Sequence, residues 1–343
     1  MARFELGVET FGDVTLGADG QPHPHHRVIA DVVREGVLAD EVGLDVIGLG
    51  EHHREDFAIS APDVVLAAIA GQTSHIRLGS AVTVLSSDDP VRVYQRFSTL
   101  DAVSGGRAEV ILGRGSFIES FPLFGYDLGD YDKLFEEKLE LFARLLAEGE
   151  VTWSGTTRSA LHGQLVHPHT AGGLRTWVGV GGNPESVVRA ARYGLPLLLA
   201  VIGGSPGRIK PLVALYEHAL DQLGQPRLPV GLHSHGHLAD TDEEALDQLW
   251  PHYEKVQARI GRERGWSPMT RAQFQAAAGP DGALFAGSPD TVAEKIVRVA
   301  RALSISRFDM KYSAGTLPHD LMMRSIELFG SKVAPMVRAE LES

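Results

Sequence analysis

The stretch 78–115 reads LGSAVTVLSSDDPVRVYQRFSTLDAVSGGRAEVILGRG and contains one complete unit of the fold. The stretch begins within a short run of apolar and β-branched residues that starts near Ile76, and it ends with a second such run that starts near Ala108. A longer segment of helical period separates the two runs. This alternation is typical of parallel strands joined by crossover helices.

The same alternation continues in both directions along the chain. The apolar runs lie near Phe4, Asp45, Ile76, Ala108, Arg175, Leu195, Pro229 and Arg307. Several of them end in glycine or in a polar cluster, as barrel strands do where they meet the active-site loops. The sequence therefore predicts an α/β fold, a (βα)₈ TIM barrel that forms a single domain over residues 1–343.

One long segment interrupts the short connections of the repeat. Residues 240–287, between the seventh and eighth strands, read as helices over 246–265 and 271–278 with glycine breaks. Because the chemistry of a barrel lies at the carboxyl ends of its strands, an insertion there is placed to cover the mouth. We predict a lid. A second irregular stretch, 151–170, is interpreted as a wall of the substrate pocket.

Composition excludes several classes of partner and chemistry. Apolar residues make up 43% of the chain, charged residues 22%, and the formal net charge is -12. A negative mean field disfavours nucleic acid and anionic membranes as partners. The absence of cysteine excludes disulfides, thiolate nucleophiles and cysteine metal sites. No leader pattern or long apolar span is found, so we expect a cytoplasmic protein.

A phosphate site is one interpretation of the segment VGVGGNPES that follows the fifth strand. Asn183 suits a helix N-cap and Pro184 the first helical position, so that N–H groups of the first turn point outward. Gly181 and Gly182 permit close approach of an anion, and the Ser186 hydroxyl adds a donor. The alternative is a helix cap without a ligand.

Arg114 is a second candidate for binding phosphate, because it stands between Gly113 and Gly115 at the end of the fourth strand. Its guanidinium forms a planar fork that matches phosphate oxygens. A structural salt bridge is the alternative. Ser80 and Ala81 on the third strand are small, which would permit an aromatic ring to lie against the backbone.

Histidines are the candidates for proton transfer or metal binding. His52 and His53 end the second strand, where alternation would place one inward and one outward, and a structural role is the alternative to proton exchange. His233, His235 and His237 share one face of the seventh strand. They span about 13 Å, too far for one tetrahedral ion, so we predict no metal site.

Several of these segments together resemble the bacterial luciferase-like flavin-dependent monooxygenases over most of the chain. They are EHH at Glu51, the run 78–115, FPLFG at Phe121, GLPLLL at Gly194 and the closing LFGSKVAP. The run 78–115 orders its small, proline, LD and SGGR elements as that family does.

The resemblance implies roles for the candidate residues. His52 matches the active-site histidine, and Ser80–Ala81 match a position with a nonprolyl cis peptide under the isoalloxazine ring. Arg114, Gly182, Asn183 and Ser186 match positions that hold the FMN phosphate, with Gly113 and Gly181 beside them. The implied reaction uses reduced FMN and dioxygen, and it oxygenates a small-molecule substrate through a flavin C4a-peroxide.

Two features limit what the resemblance implies. Luciferase has a reactive cysteine where this chain has Gly113, so light emission is not implied. No GxGxxG loop follows a strand, so a separate flavin reductase is expected to supply the electrons. Family members are often dimers, so a homodimer is expected. The alternatives are a deazaflavin-dependent hydride-transfer oxidoreductase, a non-catalytic flavin-binding protein and a metal-dependent barrel hydrolase.

Overall fold

A closed ring of eight parallel strands forms the centre of the molecule. The computed structural model describes residues 3–17, 19–115 and 117–342, so residues 1, 2, 18, 116 and 343 of the predicted domain lie outside the described part. The barrel strands are β1 (Glu5–Thr10), β2 (Val46–Leu49), β3 (Arg77–Ser80), β4 (Ala108–Gly113), β5 (Arg175–Val180), β6 (Leu197–Ala200), β7 (Val230–Leu238) and β8 (Arg307–Lys311).

Each barrel strand pairs in parallel with the next, and β8 pairs with β1 to close the ring. Because all strands run the same way, their carboxyl ends meet at one mouth. The predicted (βα)₈ TIM barrel is confirmed, and each of the eight predicted runs contains one of its strands.

Helices surround this barrel on the outside. They are α1 (His25–Glu41), α2 (Pro62–Ala70), α3 (Pro90–Ser104), α4 (Ser120–Phe124), α5 (Tyr131–Leu145), α6 (Pro184–Arg192), α7 (Lys210–Gln222), α8 (Asp242–Arg264), α9 (Arg271–Ala278), α10 (Pro289–Leu303), α11 (His319–Leu328) and α12 (Ala334–Leu341). Among the described residues, no helix has the length and apolar character needed to cross a membrane.

Short strands supplement the ring. Thr83–Val84 extends β3 after a break and pairs with β4, and Phe285–Gly287 pairs with the end of β7. Val151–Trp153 and Leu161–Gln164 form an antiparallel hairpin. This hairpin lies outside the barrel, where Arg158 pairs with Asp89 at the start of α3 and Thr156 bonds to Glu137 on α5. These bonds hold the hairpin against α3 and α5, and the interpretation of 151–170 as a pocket wall stays a prediction.

The barrel wall separates two different interiors. Along β1, Leu6 and Val8 point outward into the large hydrophobic core between strands and helices, whereas Gly7 and Glu9 point inward. The inward side has a much smaller apolar cluster. Its buried members are Ala81, Ile111, Trp177 and Leu198. Charged side chains fill much of the remaining barrel interior.

Arg307 is the centre of this charged layer. It is fully buried, and it donates to Asp309 Oδ2 at 2.8 Å and to Glu109 Oε1 at 2.7 Å. Arg77 donates to the other oxygen of Glu109 at 3.1 Å. Burial alone would raise the pKa of Glu109, but the charges of Arg307 and Arg77 lower it below its ordinary value. Arg307 and Arg77 thus supply the positive charges of this buried network, and Glu109 and Asp309 accept their hydrogen bonds.

The end of the barrel repeat is joined to its beginning by polar contacts between α11 and α1. His319 on α11 bonds through Nδ1 to Glu35 Oε1 at 2.8 Å, and Asp31 lies 3.8 Å from its Nε2. The hydrogen bond to Glu35 raises the pKa of His319, burial opposes this shift, and the charges of Glu35 and Asp31 add to it. The protonated ring therefore stabilises this contact.

We expect the contribution of His319 to stability to depend on pH. Because its pKa in the folded protein lies above the ordinary 6.5, the contribution is complete below pH 6.5 and is lost as the pH rises through the raised value. Urea unfolding of the wild type and of His319→Gln should differ most on the acid side. His218→Gln, at an exposed site, is the control. A difference that grows with pH would contradict the assignment.

Candidate active site

The segment Ala81–Val82 rises into the mouth of the barrel and is surrounded by glycines. A Cβ added to Gly48 would lie 2.9 Å from Ala81 Cβ, and one on Gly50 would lie 2.9 Å from Ala81 O. Additional side-chain atoms on Gly113 or Gly179 would collide with Val82. The Ala81–Val82 peptide bond is cis, one bond later than the predicted position at Ser80–Ala81. The result is a flat floor of backbone.

Ser80, which was expected to lie with Ala81 against the ring of a cofactor, is buried behind the floor. Its side chain is fully buried, donates to Ile111 O at 3.3 Å and accepts from Ile111 N at 3.2 Å and from Thr83 Oγ1 at 2.8 Å. The hydroxyl replaces ladder hydrogen bonds where β3 and β4 separate. Ser80 therefore supports the floor from behind, and Ala81 and Val82 form its surface.

His52 lies at the edge of this floor, in the loop that follows β2. Its ring contacts three aromatic rings, those of Phe11, Phe57 and Phe117, with centroid distances of 4.7, 4.5 and 5.2 Å. The preceding residue, Glu51, donates its N–H to Val82 O at 3.3 Å and accepts from Val84 N at 3.0 Å. These bonds fix the loop to the floor.

The inward and outward alternation expected for His52 and His53 is wrong, because β2 ends at Leu49. Both histidines are mostly buried in the loop instead, with about a tenth of each side chain exposed. The ring of His53 bonds to Glu51 Oε1 at 3.0 Å and contacts Phe124. His53 therefore helps to hold the loop, while His52 is the histidine among the aromatic rings.

Glu119 is a site residue that sequence reasoning missed. Its Oε1 lies 3.2 Å from His52 Nδ1, and its Oε2 is buried with no partner among the described residues. Burial would raise the pKa of Glu119, but hydrogen bonding to His52 and to backbone lowers it below its ordinary value. A carboxylate on Nδ1 leaves Nε2 of His52 for chemistry.

Arg114 follows β4 at the same mouth. It is in an ion pair with Asp132 at 2.6 Å, and its guanidinium lies 5.0 Å from the centre of the Tyr131 ring. The salt bridge that we considered as an alternative is thus present. Asp132 is 69% exposed, and an ion pair of this kind is worth about 0–1 kcal/mol. An incoming phosphate can replace Asp132 at small cost.

The predicted cap at Asn183 is confirmed, since its side chain accepts from Ser186 N at 3.0 Å and Pro184 is the first helical residue. The cap also uses one of the donors that we expected to face an anion. Pro184 has no N–H, so Glu185 supplies the remaining backbone donor of the first turn. Gly181 and Gly182 are exposed, and Gly182 has a φ of 129°, which favours glycine.

Ser186 is buried, and its hydroxyl is oriented by a residue that the sequence did not single out. Arg189 donates to Ser186 Oγ at 3.3 Å and also pairs with Glu136 on α5. Because the oxygen of Ser186 accepts from Arg189, its own hydrogen can be donated outward. Arg189 adds a second positive charge beside the α6 N-terminus.

Helix α5 holds the two candidate phosphate-binding groups, Arg114 and the start of α6, near each other. Asp132 pairs with Arg114, and Glu136, one turn later, pairs with Arg189. Residues four apart on a helix are neighbours on one face, with about 5–6 Å between their Cβ atoms. The strand register agrees with this proximity. Leu112 on β4 pairs with Val178 on β5, so the carboxyl ends of the two strands lie at the same level.

The three histidines of β7 have separate partners. His233 bonds through Nδ1 to Glu9, His237 bonds to Gln248 at 2.8 Å, and the His235 ring packs 5.8 Å from that of Tyr253 on α8. Burial lowers the pKa of His235 well below its ordinary value, so the ring is neutral. Among the described residues no group of side chains is arranged to hold a metal ion.

The arrangement combines a flat floor, an imidazole at its edge and an anion site at one end. A planar ring can lie on Ala81–Val82, an attached phosphate can reach Arg114 and the start of α6, and His52 can exchange a proton above the floor. These features suit a planar ring that carries a phosphate group.

Comparison with known proteins gives matches over most of the chain. Residues 10–306 match the family described as luciferase-like monooxygenase. The 4-hydroxyprotoasukamycin monooxygenase of Streptomyces nodosus subsp. asukaensis is 28% identical over 316 residues, which are 88% of this chain and 85% of that protein.

Solved structures match over nearly the whole chain. The oxygenating constituent of 3,6-diketocamphane monooxygenase from Pseudomonas putida, in complex with FMN, aligns with a TM-score of 0.80 at 18% identity, over 97% of this chain and 99% of that one. An F420-dependent secondary alcohol dehydrogenase, in complex with an F420-acetone adduct, aligns with a TM-score of 0.75 at 15% identity, over 98% and 99%. At these identities the likeness shows the fold.

Proposed function

Because the chain belongs to the luciferase-like monooxygenase family and is an enzyme of that family, we propose that it uses reduced FMN and dioxygen to oxygenate a small organic substrate. The observation that supports this most is the glycine-lined floor at Ala81–Val82 with Arg114 and the α6 N-terminus at one end. A floor that added side chains would fill, next to an anion site, fits a phosphorylated planar cofactor.

The residues of the site divide into three roles. Arg114, Ser186 and the backbone at Gly181 and Gly182 would hold the phosphate, and Ala81 with Val82 would support the ring. Bound reduced FMN would supply the electrons that activate dioxygen for transfer of one oxygen atom. His52 would hold or move a proton at Nε2, with Glu119 fixing the ring through Nδ1.

A deazaflavin-dependent oxidoreductase is the second candidate, and the fold likeness to an F420-dependent dehydrogenase favours keeping it. That coenzyme has a long polyanionic tail that would need an open basic groove. The formal net charge of -12 argues against such a groove, so FMN is preferred.

Reconstitution tests the choice of cofactor. Purified protein is incubated separately with FMN and with the deazaflavin coenzyme, and retained cofactor is measured by visible absorbance after gel filtration. We expect retention of FMN, and dioxygen consumption above that of the reductase and FMN alone when the reductase keeps FMN reduced. Retention of the deazaflavin alone would reject FMN, and FMN retention without this added consumption would reject the monooxygenase.

Arg114→Ala should weaken FMN binding by about 1.5–3 kcal/mol, the contribution of a hydrogen bond to a charged group. This corresponds to roughly 10–150-fold in Kd, measured by quenching of flavin fluorescence. Arg144→Ala, which removes an exposed arginine paired with Glu140, is the matched control and should not change Kd. Unchanged affinity in Arg114→Ala would remove this residue from the phosphate site.

We also propose that residues 240–287 act as a lid. The predicted helices are present as α8 and α9, and the end of α8 reaches the loop that contains His52. Glu263 accepts from Arg54 at 3.1 Å, Arg259 pairs with Asp56, and the Arg264 guanidinium lies 5.5 Å from the ring centre of Phe117. A covered chamber would exclude water from the reacting groups.

Limited proteolysis tests the lid. FMN binding should slow cleavage within 240–287 and leave cleavage in the outer hairpin, 151–164, unchanged. Equal protection of both segments, or of neither, would count against a lid.

We further propose that a separate reductase supplies reduced FMN and that the chain forms a homodimer, which light scattering would detect as a mass twice 37.0 kDa.

A further inference from the structure

A second polar site lies in the barrel interior, next to the floor of the proposed flavin site. Glu9 on β1 and His233 on β7 bond to each other across the interior, through Oε2 and Nδ1. The position of a Cβ on Gly48 lies 2.9 Å from Glu9 Cγ and 2.9 Å from Ala81 Cβ. Glu9 and Ala81 are therefore neighbours, separated by the space that Gly48 leaves open.

The pair is buried, and His233 is its more exposed member. The Glu9 side chain is 1% exposed, whereas that of His233 is 9% exposed. Glu9 Oε1 is buried and has no hydrogen-bond partner among the described residues. A buried acceptor without a donor is costly, so a bound group that supplies a hydrogen would be favoured there.

The tautomer of His233 follows from its partner. The Glu9 carboxylate accepts from Nδ1, so the neutral ring has its lone pair on Nε2. The pair thus offers two groups that take hydrogens, Glu9 Oε1 and His233 Nε2. A ligand that fits must be a donor. Among hydroxyl donors, a phenol or an enol releases its proton to an imidazole most readily, with a pKa of about 10 for the phenol of tyrosine.

We propose that Glu9 and His233 form the substrate-activating site of this enzyme, in which His233 takes the proton of a phenolic or enolic hydroxyl. The inference rests on the proposed function for placing a substrate in this chamber. The O–H bond of the ligand breaks, an N–H bond forms at Nε2, and the electron pair stays on the ligand oxygen. His233 is the catalytic residue, and Glu9 is the positioning residue that balances the imidazolium.

The surroundings of the pair suit a planar ring. Ala200 on β6 pairs in register with His233, and Leu198, one inward position earlier, belongs to the apolar cluster with Trp177 and Ile111. Apart from Glu9, the titratable groups that the described residues place beside His233 include His235 on its own strand and, at the register positions of these two histidines, Asp309 and Lys311 on β8. Burial, together with repulsion from Glu9, raises the pKa of Asp309 to about 7 against the attraction of Arg307, so this group needs its own control.

The probe is 4-nitrophenol, whose phenolate is yellow. The absorbance of the bound probe is titrated against pH in protein without FMN and in protein with FMN. On binding to the wild type, the ionisation midpoint should fall by about one pH unit, a tenfold change in the ionisation constant. His233→Gln should abolish the shift and Glu9→Gln should remove most of it, while Glu9→Asp, which keeps the carboxylate, should retain part.

Two further variants separate this site from other groups. His218→Gln, on the outside of α7, should keep the full shift, and so should Asp309→Asn. No saturable binding, an unchanged midpoint, or a shift that survives in His233→Gln and disappears in Asp309→Asn overturns the inference. FMN binding without a probe shift refutes this inference alone, whereas a probe shift without FMN binding refutes the proposed function and leaves the inference standing.

Discussion

Replacement of His52 with alanine should lower the rate of coupled substrate oxygenation by roughly 10²–10⁴-fold, the usual contribution of a positioned acid or base. FMN affinity should change little, because His52 lies at the edge of the floor, whereas the residues proposed to bind the phosphate follow β4 and β5. The measurement is product formed per dioxygen consumed with reductase-supplied FMN, in parallel with fluorescence titration of FMN.

Glu119→Gln is the partner variant for this test. It keeps the shape of the side chain but removes the charge that faces His52 Nδ1 at 3.2 Å. Its turnover should fall less than that of His52→Ala, because the imidazole stays in place and loses only the carboxylate that fixes its ring through Nδ1. If His52→Ala turned over as fast as the wild type at every pH, the histidine would have no catalytic role.

Arg307→Met should destabilise the fold by about 3–5 kcal/mol, since it leaves buried carboxylates without their counter-charge. Glu109 would keep Arg77, but Asp309 would lose the guanidinium that bonds to both of its oxygens at 3.0 and 2.8 Å. The loss should be smaller in acid, where the stranded carboxyls are protonated. Urea unfolding at two pH values measures both effects.

Arg227→Met is the matched control for that variant, because Arg227 is 60% exposed and pairs with Glu217 and Asp221 on the surface. Its free energy of unfolding should stay within about 0.5 kcal/mol of the wild-type value. Equal midpoints for Arg307→Met and the wild type would mean that the buried network contributes nothing net to stability.

The order of strands and helices could be predicted because each strand places apolar residues on its outer side. Leu6 and Val8 in β1 are an example of this pattern. The inward residues could not be placed in the same way. The inward positions are polar, as at Glu9, Glu109 and Arg307, and they alternate with apolar residues. The same alternation is found on a strand with one solvent-exposed face, and only closure of the barrel turns that polar face into the barrel interior.

The candidate site was predictable where one short segment contains the whole signal. The cap at Asn183 and Pro184 is of this kind, and the structure confirms it. Glu119 and the pair of Glu9 with His233 were missed, because their partners lie 67 and 224 residues away in the chain. Val82 was missed because its position depends on glycines contributed by other strands.

The glycine-lined floor sets a rule for any engineering of this scaffold at position 113. A cysteine at position 113 would bring its side chain into collision with Val82, which already occupies the space above that glycine. The exchange must therefore be made as a pair, with a smaller residue at 82, or the floor itself will be displaced. The two positions form a single unit of design.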